Sequence, residues 1–183
     1  KLLRAVKNRF GSTNEVGILE MTETGLREVP SPSAAMLAEK QALPGSVVFA
    51  AIEGTRALLV EVQALVSPSV FGYPKRTADG GDLNRLSLLA AVITKHGGIN
   101  LSSSDIYVNI VGGLKVTEPA VDLAIILAIA SAYKNIIVPS DLVVFGEVGL
   151  SGELRSVSMS QQRLSEAKRI GFGTALVPPT IKA

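Results

Sequence analysis

The chain has 183 residues, of which 47% are hydrophobic and 19% are charged, so it has enough apolar residues to form a core. It has no Cys and one His, which excludes disulfide frameworks, thiolate zinc sites, cysteine nucleophiles and multi-histidine metal sites. The formal net charge of +2 is too small to indicate a nucleic-acid partner, so a basic surface must come from local clustering.

The longest uncharged apolar stretch, Leu123 to Tyr133, is shorter than the roughly 20 residues that cross a membrane, and we interpret it as a buried helix. The N-terminus lacks the apolar segment of a signal peptide. Because the chain begins with Lys rather than Met, we expect a cytoplasmic piece of a larger protein without membrane contact.

Strand patterns dominate the first third of the chain. We predict a short strand over Leu2 to Val6, a strand pair over Glu15 to Met21 and Gly25 to Val29, and a hairpin over Gly45 to Glu53 and Arg56 to Val66. A short helix over Ala34 to Lys40 is predicted between them, since Ser31 followed by Pro32 is a typical helix start.

The rest of the chain alternates between helical and strand patterns. Ser67 to Gly81 is predicted to be a long loop rich in Pro, Gly and basic residues. The elements expected after it are a helix capped by Asp82 and ending at His96, a strand over Asp105 to Val111, a helix from Pro119 to Lys134, strands over Leu142 to Phe145 and Glu153 to Val157 around a Gly-rich turn, a helix over Ser160 to Ile170 and a strand over Thr174 to Val177. This order predicts a single α+β domain.

Common catalytic signatures are absent from the sequence. The Gly-rich stretch from Gly146 to Gly152 lacks the Gly-Lys-Ser/Thr ending of a phosphate-binding loop, and no Gly-x-Ser-x-Gly elbow occurs. His96 is interpreted as an exposed residue at a helix end. Asp122 stands alone in an apolar helix, where a buried carboxylate needs a partner in the fold or at a subunit interface.

A basic turn near the N-terminus could reach a phosphate or enter a neighbour's active site as an arginine finger. Its two cations lie two residues apart at a strand end and so point to the same side. The alternative is a solvated strand end. The turn consists of Lys7, Asn8, Arg9, Phe10 and Gly11.

A second basic segment lies in the long loop, where Lys75 and Arg76 follow a proline and Arg85 comes one helical turn into the next helix. Paired cations suit contacts with a phosphate backbone. The alternative is a surface loop whose charges only keep the chain soluble. Phe71 and Tyr73 add limited support for base stacking.

Together these motifs resemble a known family. The basic turn resembles the KNRFG signature of the bacterial RadA (Sms) DNA repair proteins. The similarity continues in Leu59 to Leu65 (LVEVQAL), Gly80 to Leu86 (GGDLNRL), Asp105 to Gly113 (DIYVNIVGG), Glu118 to Ala124 (EPAVDLA) and Gly146 to Arg155 (GEVGLSGELR). It spans essentially the whole chain.

The resemblance implies a domain organisation. In that family a zinc finger and a RecA-like ATPase precede a domain similar to the Lon protease C-terminal domain, which has the ribosomal protein S5 domain 2-like fold. Residues 1–13 would then be the KNRFG tail of the ATPase, and residues 14–183 the Lon-like domain. ATP, Mg and Zn would belong to domains outside this chain.

The resemblance also implies a function. It predicts a homo-hexameric ring that binds single-stranded and branched DNA, works with the RecA recombinase and drives branch migration with ATP. The KNRFG turn would couple ATP to DNA at a subunit boundary, with Lys7 and Arg9 as the cations.

Lon proteases use a Ser–Lys dyad, and the resemblance places the corresponding positions at Ala120 and Gln161. Neither side chain can perform the chemistry, because alanine has no nucleophilic oxygen and glutamine cannot act as an amine base. Asp122 replaces a small glycine of the family. We therefore expect no proteolysis.

The sequence thus predicts a non-proteolytic scaffold for a hexameric ring, with DNA contacts from Lys75, Arg76 and Arg85 and weaker candidates at Lys115 and Arg163. The alternative is a pure oligomerisation module without DNA contact. A protease with a rearranged dyad is the third hypothesis.

Overall fold

The computed structural model describes residues 2–4, 16–70 and 72–180. The KNRFG turn and Phe71, and with them the predictions made for both, lie outside the described residues. In the described part the strands are β1 Leu2–Arg4, β2 Val16–Thr22, β3 Gly25–Glu28, β4 Ser46–Glu53, β5 Arg56–Pro68, β6 Arg76–Asp79, β7 Ser104–Ile110, β8 Leu142–Val144, β9 Glu147–Val148, β10 Leu154–Arg155 and β11 Thr174–Leu176. The helices are α1 Pro32–Leu37, α2 Leu83–His96, α3 Asp122–Lys134 and α4 Ser160–Ile170, and a 3-10 turn over Pro119–Val121 leads into α3.

Six strands form one mixed sheet in the order β11-β8-β4-β5-β7-β6. The β4–β5 hairpin and the β5–β7 pair are antiparallel, whereas β6–β7, β4–β8 and β8–β11 are parallel. A small sheet of β1, β2 and β3 and a β9–β10 hairpin accompany it. The fold is therefore mixed α/β and compatible with the α+β prediction.

The two central strands form the core of the sheet. β4 is buried from Ser46 to Ala51, and β5 from Ala57 to Val62, without alternation. These buried runs are apolar except for Ser46 and Glu61, as is typical of strands covered on both faces. From Gln63 onward β5 alternates between exposed and less exposed positions, so this end of the sheet has an open face.

Most predicted elements are confirmed, including the strand pair, the central hairpin, α2 with its Asp82 cap, and α4. The loop prediction over Ser67 to Gly81 was wrong in part, since β5 extends to Pro68 and β6 lies within it. β6 has a polar sequence that gives no strand signal. Its parallel pairing with β7 fixes it, and Ile106 donates an amide hydrogen bond to the Lys75 carbonyl at 2.9 Å.

Two further boundaries differ from the prediction. The partner of the strand after the Gly-rich turn is Glu147–Val148, inside that turn, and it pairs with Leu154–Arg155 as a short hairpin. The first helix ends at Leu37 rather than Lys40. The prediction of Gly146 to Gly152 as a turn was therefore wrong at β9, a strand of two residues that is too short to show a periodic pattern, whereas the shift in α1 is at an element end.

Helices α1 and α4 are joined by a polar contact. The Ser33 hydroxyl, which is fully buried, accepts from the Leu59 amide at 3.1 Å and donates to Glu166 Oε1 at 2.5 Å. Arg169 donates to both oxygens of Glu166, each at 2.7 Å. This network connects α1, α4 and the centre of β5.

Replacing Glu166 with Gln is expected to reduce the free energy of unfolding by about 1–2 kcal/mol near neutral pH, because charge-assisted hydrogen bonds are lost. Arg169, and after it Ser33, hold the pKa of the Glu166 carboxyl below its ordinary value of 4.5. The stabilisation by this ionised carboxylate is therefore present above the unfolded pKa and disappears as pH falls through the folded pKa.

Urea unfolding of both proteins from about pH 7 to about pH 3 measures this effect, and the difference between them should shrink as the pH falls. Glu23→Gln, at an exposed position of the β2–β3 turn, is the control and should match the parent chain. A difference that is constant across this range contradicts the assignment.

Candidate degenerate catalytic site and basic groove

Ala120, the predicted nucleophile position, lies in the 3-10 turn before α3 and is 2% exposed. Its carbonyl accepts from the Gly146 amide at 2.8 Å, and the Leu123 amide donates to the Gly146 carbonyl at 3.1 Å. A Cβ on Gly146 would lie 3.0 Å from Pro178, so the close approach favours glycine. The turn is firmly placed, but it presents only a methyl group.

Arg163 is the α4 side chain that reaches this turn. Its guanidinium is 0% exposed and donates to both oxygens of Glu118, at 3.1 and 2.5 Å, two residues before Ala120. The guanidinium carbon also lies 5.9 Å and 5.6 Å from the ring centroids of Phe49 and Phe145, within cation–π range. We call this pair the Glu118–Arg163 clasp.

Gln161, the predicted general-base position, is an exposed residue of α4, whereas Arg163 is the α4 side chain that contacts the Glu118 segment. A guanidinium does not release its proton near neutral pH, and it cannot act as a base there. Arg163 as a DNA contact was wrong, because the side chain has no exposed surface.

The clasp also closes an open edge of β4. β8 pairs with β4 only at Val48 and Phe49. Beyond them, the Ala50 carbonyl accepts from Arg163, and the Ile52 amide donates to Glu118 at 2.9 Å. These are backbone groups that an added strand would use, so the clasp replaces strand pairing with side-chain hydrogen bonds.

A second ion pair lies on the α2 side of the turn. Asp122 is 0% exposed, and Arg85 donates to both of its carboxylate oxygens, with Nε to Oδ1 at 2.9 Å. The Val148 amide donates to Asp122 at 3.0 Å, and Arg85 donates to the Val148 carbonyl at 2.8 Å. The prediction that Asp122 has a partner in the fold is confirmed.

This pairing gives Arg85 a structural role. The hydrogen bond to Asp122 raises the pKa of the Arg85 guanidinium above its ordinary value. The side chain is 30% exposed, and its bonds join α2, α3 and the β9–β10 hairpin. It is therefore committed to the interior of the fold, and a DNA contact there would have to use its remaining exposed edge.

The predicted cations Lys75 and Arg76 lie side by side at the start of β6. Lys75 is exposed, and its amide donates to Asp105 at 2.8 Å, which lowers the pKa of that carboxyl below its ordinary value of 3.8. Arg76 donates to the carbonyls of Ser104 at 2.5 Å and Leu101 at 3.0 Å. Arg76 therefore links the start of β6 to the segment that leads into β7, in addition to carrying a charge.

A shallow groove beside Arg76 contains a cation that the sequence reasoning did not select. The exposed Lys95 lines it from the end of α2. Apart from Leu101, the other lining side chains are small or bear a hydroxyl group, among them Ser87, Ala91, Thr94 and Ser102. The fact that Ser87, Ala91 and Lys95 are spaced four residues apart on one helix is the sequence signal that could have identified it. Lys115, the weaker candidate, is exposed near Glu118 and does not line this groove.

Within residues 2–4, 16–70 and 72–180, no group of three or more His, Asp or Glu side chains is placed to hold a metal ion. Among the helices in the same part of the chain, none has the length and apolar character needed to cross a membrane.

The geometry defines a mixed α/β domain in which the buried Ala120 turn lies between two ion pairs. The chain belongs to the family described as "Subunit ChlI of Mg-chelatase", whose model matches residues 86–181. It is 49% identical over 182 residues to DNA repair protein RadA of Aquifex aeolicus, covering 100% of this chain and 41% of that protein.

Two further relatives have the same name. The identity is 54% to DNA repair protein RadA of Pseudomonas aeruginosa, with 97% of this chain and 40% of the relative covered. For DNA repair protein RadA of Escherichia coli it is 51%, with 97% and 39% covered. The resemblance to the RadA DNA repair proteins is confirmed, and the chain spans about 40% of their length.

Asp122→Asn is expected to reduce the free energy of unfolding by about 3 kcal/mol, because it leaves the Arg85 charge without its partner in a mostly buried site. The double variant Arg85→Met/Asp122→Leu should recover a large part of this loss, since no charge is then left unpaired. Urea unfolding at neutral pH measures both. If the double variant is less stable than Asp122→Asn, the ion pair is not the source of the effect.

Proposed function

We propose that this chain is a non-proteolytic, Lon protease C-terminal-like domain of a DNA repair protein, with the ribosomal protein S5 domain 2-like fold. It scaffolds a hexameric ring and contributes to DNA binding for branch migration. A RecA-like ATPase outside this chain drives the process. The observation that carries the non-proteolytic part is the enclosed Ala120, which has the Glu118–Arg163 clasp on one side and the Arg85–Asp122 pair on the other.

Proteolysis by a Ser–Lys dyad needs an oxygen nucleophile, an amine base and room for an extended substrate. Ala120 lacks the oxygen, and Arg163 is a hydrogen-bonded guanidinium rather than an amine. The clasp occupies the β4 edge groups at Ala50 and Ile52, which could otherwise pair with a substrate strand. The missing oxygen, the missing amine and the occupied strand edge each support the proposal that this region does not cleave peptides.

The DNA-related part of the proposal rests on the similarity to proteins named DNA repair protein RadA. In this proposal the KNRFG residues Lys7 and Arg9 act at a subunit boundary, where they couple ATP hydrolysis to DNA. ATP and Mg bind the ATPase domain, and Zn binds a further domain. RecA recombinase is the proposed partner and the cytoplasm the proposed location.

Contacts inside the fold reduce the number of cations that are available for the proposed DNA surface. Arg85 is committed to Asp122, and Arg76 is partly committed to backbone carbonyls. Lys95 is exposed and lines the groove beside Arg76, and the exposed Lys75 precedes Arg76 in the chain. We therefore propose that the DNA backbone follows this groove, with Lys95 contacting phosphates there and Lys75 contacting them outside it.

The commitment of Arg76 and Arg85 also favours the second candidate, a pure oligomerisation module. If these guanidinium groups act only inside the fold, the domain has fewer cations available for DNA. In that case the DNA contacts belong to the ATPase domain. DNA titration separates the two candidates.

The chain is expected not to hydrolyse an unfolded protein, and Ala120→Ser is expected to be equally inactive, because neither Gln161 nor Arg163 can act as the base. Release of fluorescent peptides from labelled casein measures this, and a Lon protease provides the positive control. Hydrolysis by the parent chain that is abolished by substituting one nearby serine, such as Ser160, contradicts the proposal.

Lys95→Glu is expected to weaken DNA binding several-fold with little dependence on sequence, and Lys75→Glu should act in the same direction. Fluorescence anisotropy with single- and double-stranded DNA at two salt concentrations measures the affinity and its salt dependence. Lys134→Glu and Lys168→Glu are the matched controls, since both lysines are exposed on other helices.

Sedimentation velocity should establish that each variant keeps the assembly state of the parent chain. DNA binding that is unaffected by Lys95→Glu and Lys75→Glu excludes the groove. An assembled parent chain without DNA affinity supports the oligomerisation module.

A further inference from the structure

The guanidinium of Arg76 is held by backbone carbonyls on one side and keeps N–H groups without a partner on the other. Nη1 donates to the Lys75 carbonyl at 3.0 Å and to the Ser104 carbonyl at 2.5 Å, and Nη2 donates to the Leu101 carbonyl at 3.0 Å. In a guanidinium, Nε carries a single N–H group and each Nη carries a pair. The N–H of Nε and one N–H of Nη2 therefore have no acceptor among the described residues.

These remaining N–H groups are open to water. Arg76 is half-buried, and no buried side-chain nitrogen in the described part of the chain lacks a hydrogen bond, so the unbonded Nε must reach the surface. Nε and Nη2 are also the pair of atoms with which Arg85 binds both oxygens of Asp122. Such a pair of donors matches two oxygens of a carboxylate or of a phosphate.

A hydroxyl donor, that of Ser102, lies next to this guanidinium. Ser102 is exposed, lines the groove with Arg76 and directly follows Leu101, whose carbonyl accepts from Arg76. The Ser102 amide donates to Asn100 Oδ1 at 3.0 Å, which fixes the turn. Within residues 2–4, 16–70 and 72–180, the Ser102 hydroxyl itself makes no hydrogen bond, so its hydrogen is available to a ligand.

The other hydroxyl groups that line the groove already donate their hydrogens inside α2. Ser87 donates to the Leu83 carbonyl at 3.0 Å, and Thr94 donates to the Ala90 carbonyl at 2.9 Å. A hydroxyl has a single hydrogen, so these two side chains can offer only acceptors to a ligand. Phosphate oxygens need donors, and Ser102 is the hydroxyl of the described groove that can supply one.

Contacts between this turn and α2 bring Lys95 to the same place. The Leu101 amide donates to Thr94 Oγ1 at 3.4 Å, so the segment that carries Ser102 is joined to the last turn of α2. Lys95 follows Thr94, is exposed and lines the groove together with Arg76 and Ser102. No carboxylate of the described chain lines the groove, so its charge favours an anion.

We propose that Arg76, Ser102 and Lys95 form a subsite for a single phosphate group. Nε and Nη2 of Arg76 donate to two phosphate oxygens, the Ser102 hydroxyl donates to a phosphate oxygen, and the Lys95 ammonium adds a second positive charge. The backbone carbonyls hold the guanidinium in place before the phosphate arrives, so less side-chain freedom is lost on binding. The bonds that Arg76 makes inside the fold therefore prepare it for a ligand.

This inference rests on the proposed DNA-binding function of the groove and assigns the atoms that contact one phosphate of the backbone. Ser102 is the residue that it adds to the groove cations. The same donors also suit free inorganic phosphate, so the experiment uses both ligands as probes.

Fluorescence anisotropy with a labelled single-stranded oligothymidylate at low salt measures the affinity of the parent chain and of its variants. Ser102→Ala is expected to weaken binding about fivefold, because a hydrogen bond to a charged oxygen is lost. Ser103→Ala is the matched control, since Ser103 is the exposed neighbour that does not line the groove, and it should bind like the parent chain.

Arg76→Lys keeps the charge but loses the planar pair of donors, and it is expected to weaken binding about tenfold. Arg27→Lys, at an exposed guanidinium of β3, is its control and should have no effect. Because Arg76→Lys also removes bonds to carbonyls, urea unfolding of each variant should establish that the chain is folded under the binding conditions.

Two further readouts separate a shared phosphate from a change in the fold. Ser102→Ala removes no charge, so the slope of log affinity against log salt should stay that of the parent chain. The double variant Arg76→Lys/Ser102→Ala should lose less affinity than the product of the two single effects, because both side chains bind the same phosphate. Single effects that multiply fully contradict a shared phosphate and overturn the subsite.

Inorganic phosphate is the second probe, with chloride at equal ionic strength as the reference. It should displace the oligothymidylate from the parent chain, and isothermal titration calorimetry should show weaker phosphate binding by Ser102→Ala and Arg76→Lys. If the oligothymidylate binds equally well to the parent chain and to both variants, the subsite is overturned and the DNA proposal stands. If phosphate binds in a Ser102-dependent manner and the oligothymidylate does not bind, the subsite stands and the DNA proposal fails. If neither ligand binds, both are overturned.

Discussion

The rest of the domain depends on the hydrogen bonds of the buried Arg163 guanidinium. It carries a charge with no exposed surface, and its partners come from β4, the Glu118 segment and the backbone before α4. Two aromatic rings at 5.9 and 5.6 Å complete its surroundings. Because a buried charge is tolerated only with its full set of partners, this side chain fixes how helix, turn and sheet are placed relative to one another.

The Arg85–Asp122 pair has the same effect on the other side of the turn. Together the two ion pairs leave the region around Ala120 with its described charges matched, and no buried side-chain nitrogen or oxygen in the described residues lacks a hydrogen bond. The charged side chains on both sides of the turn are bonded to each other and to the backbone, so they hold the surrounding helices and strands together.

The sequence predicted correctly those elements whose position is determined by apolar spacing and by turn residues. The central hairpin, α2 and α4 follow from such patterns, and the partner of Asp122 follows from the cost of a lone buried carboxylate. β6 was not predictable in this way, because its polar residues are held by pairing with β7, a contact distant in the chain. Arg163 was misjudged for a related reason. A cation in an amphipathic helix normally faces water, and only the fold brings Glu118 and Ala50 to it.

In the candidate site, too, some features were predictable from the sequence and others depend on the fold. That Ala120 cannot act as a nucleophile is evident from its identity, whereas the closure of the β4 edge depends on the three-dimensional course of the Glu118 segment. Lys95 and the groove beside Arg76 likewise combine residues from α2 and from the start of β6. Sites assembled from distant segments leave little trace in local sequence patterns.

The clasp also has a consequence for stability. Restoring Ser at position 120 supplies an oxygen but no base, and exchanging Arg163 for Lys removes donors that Ala50 and Glu118 now use. Replacing Arg163 therefore leaves buried acceptors without donors and lowers the stability of the domain. Under the proposed function, the folding energy itself thus opposes the assembly of a Ser–Lys dyad at this turn.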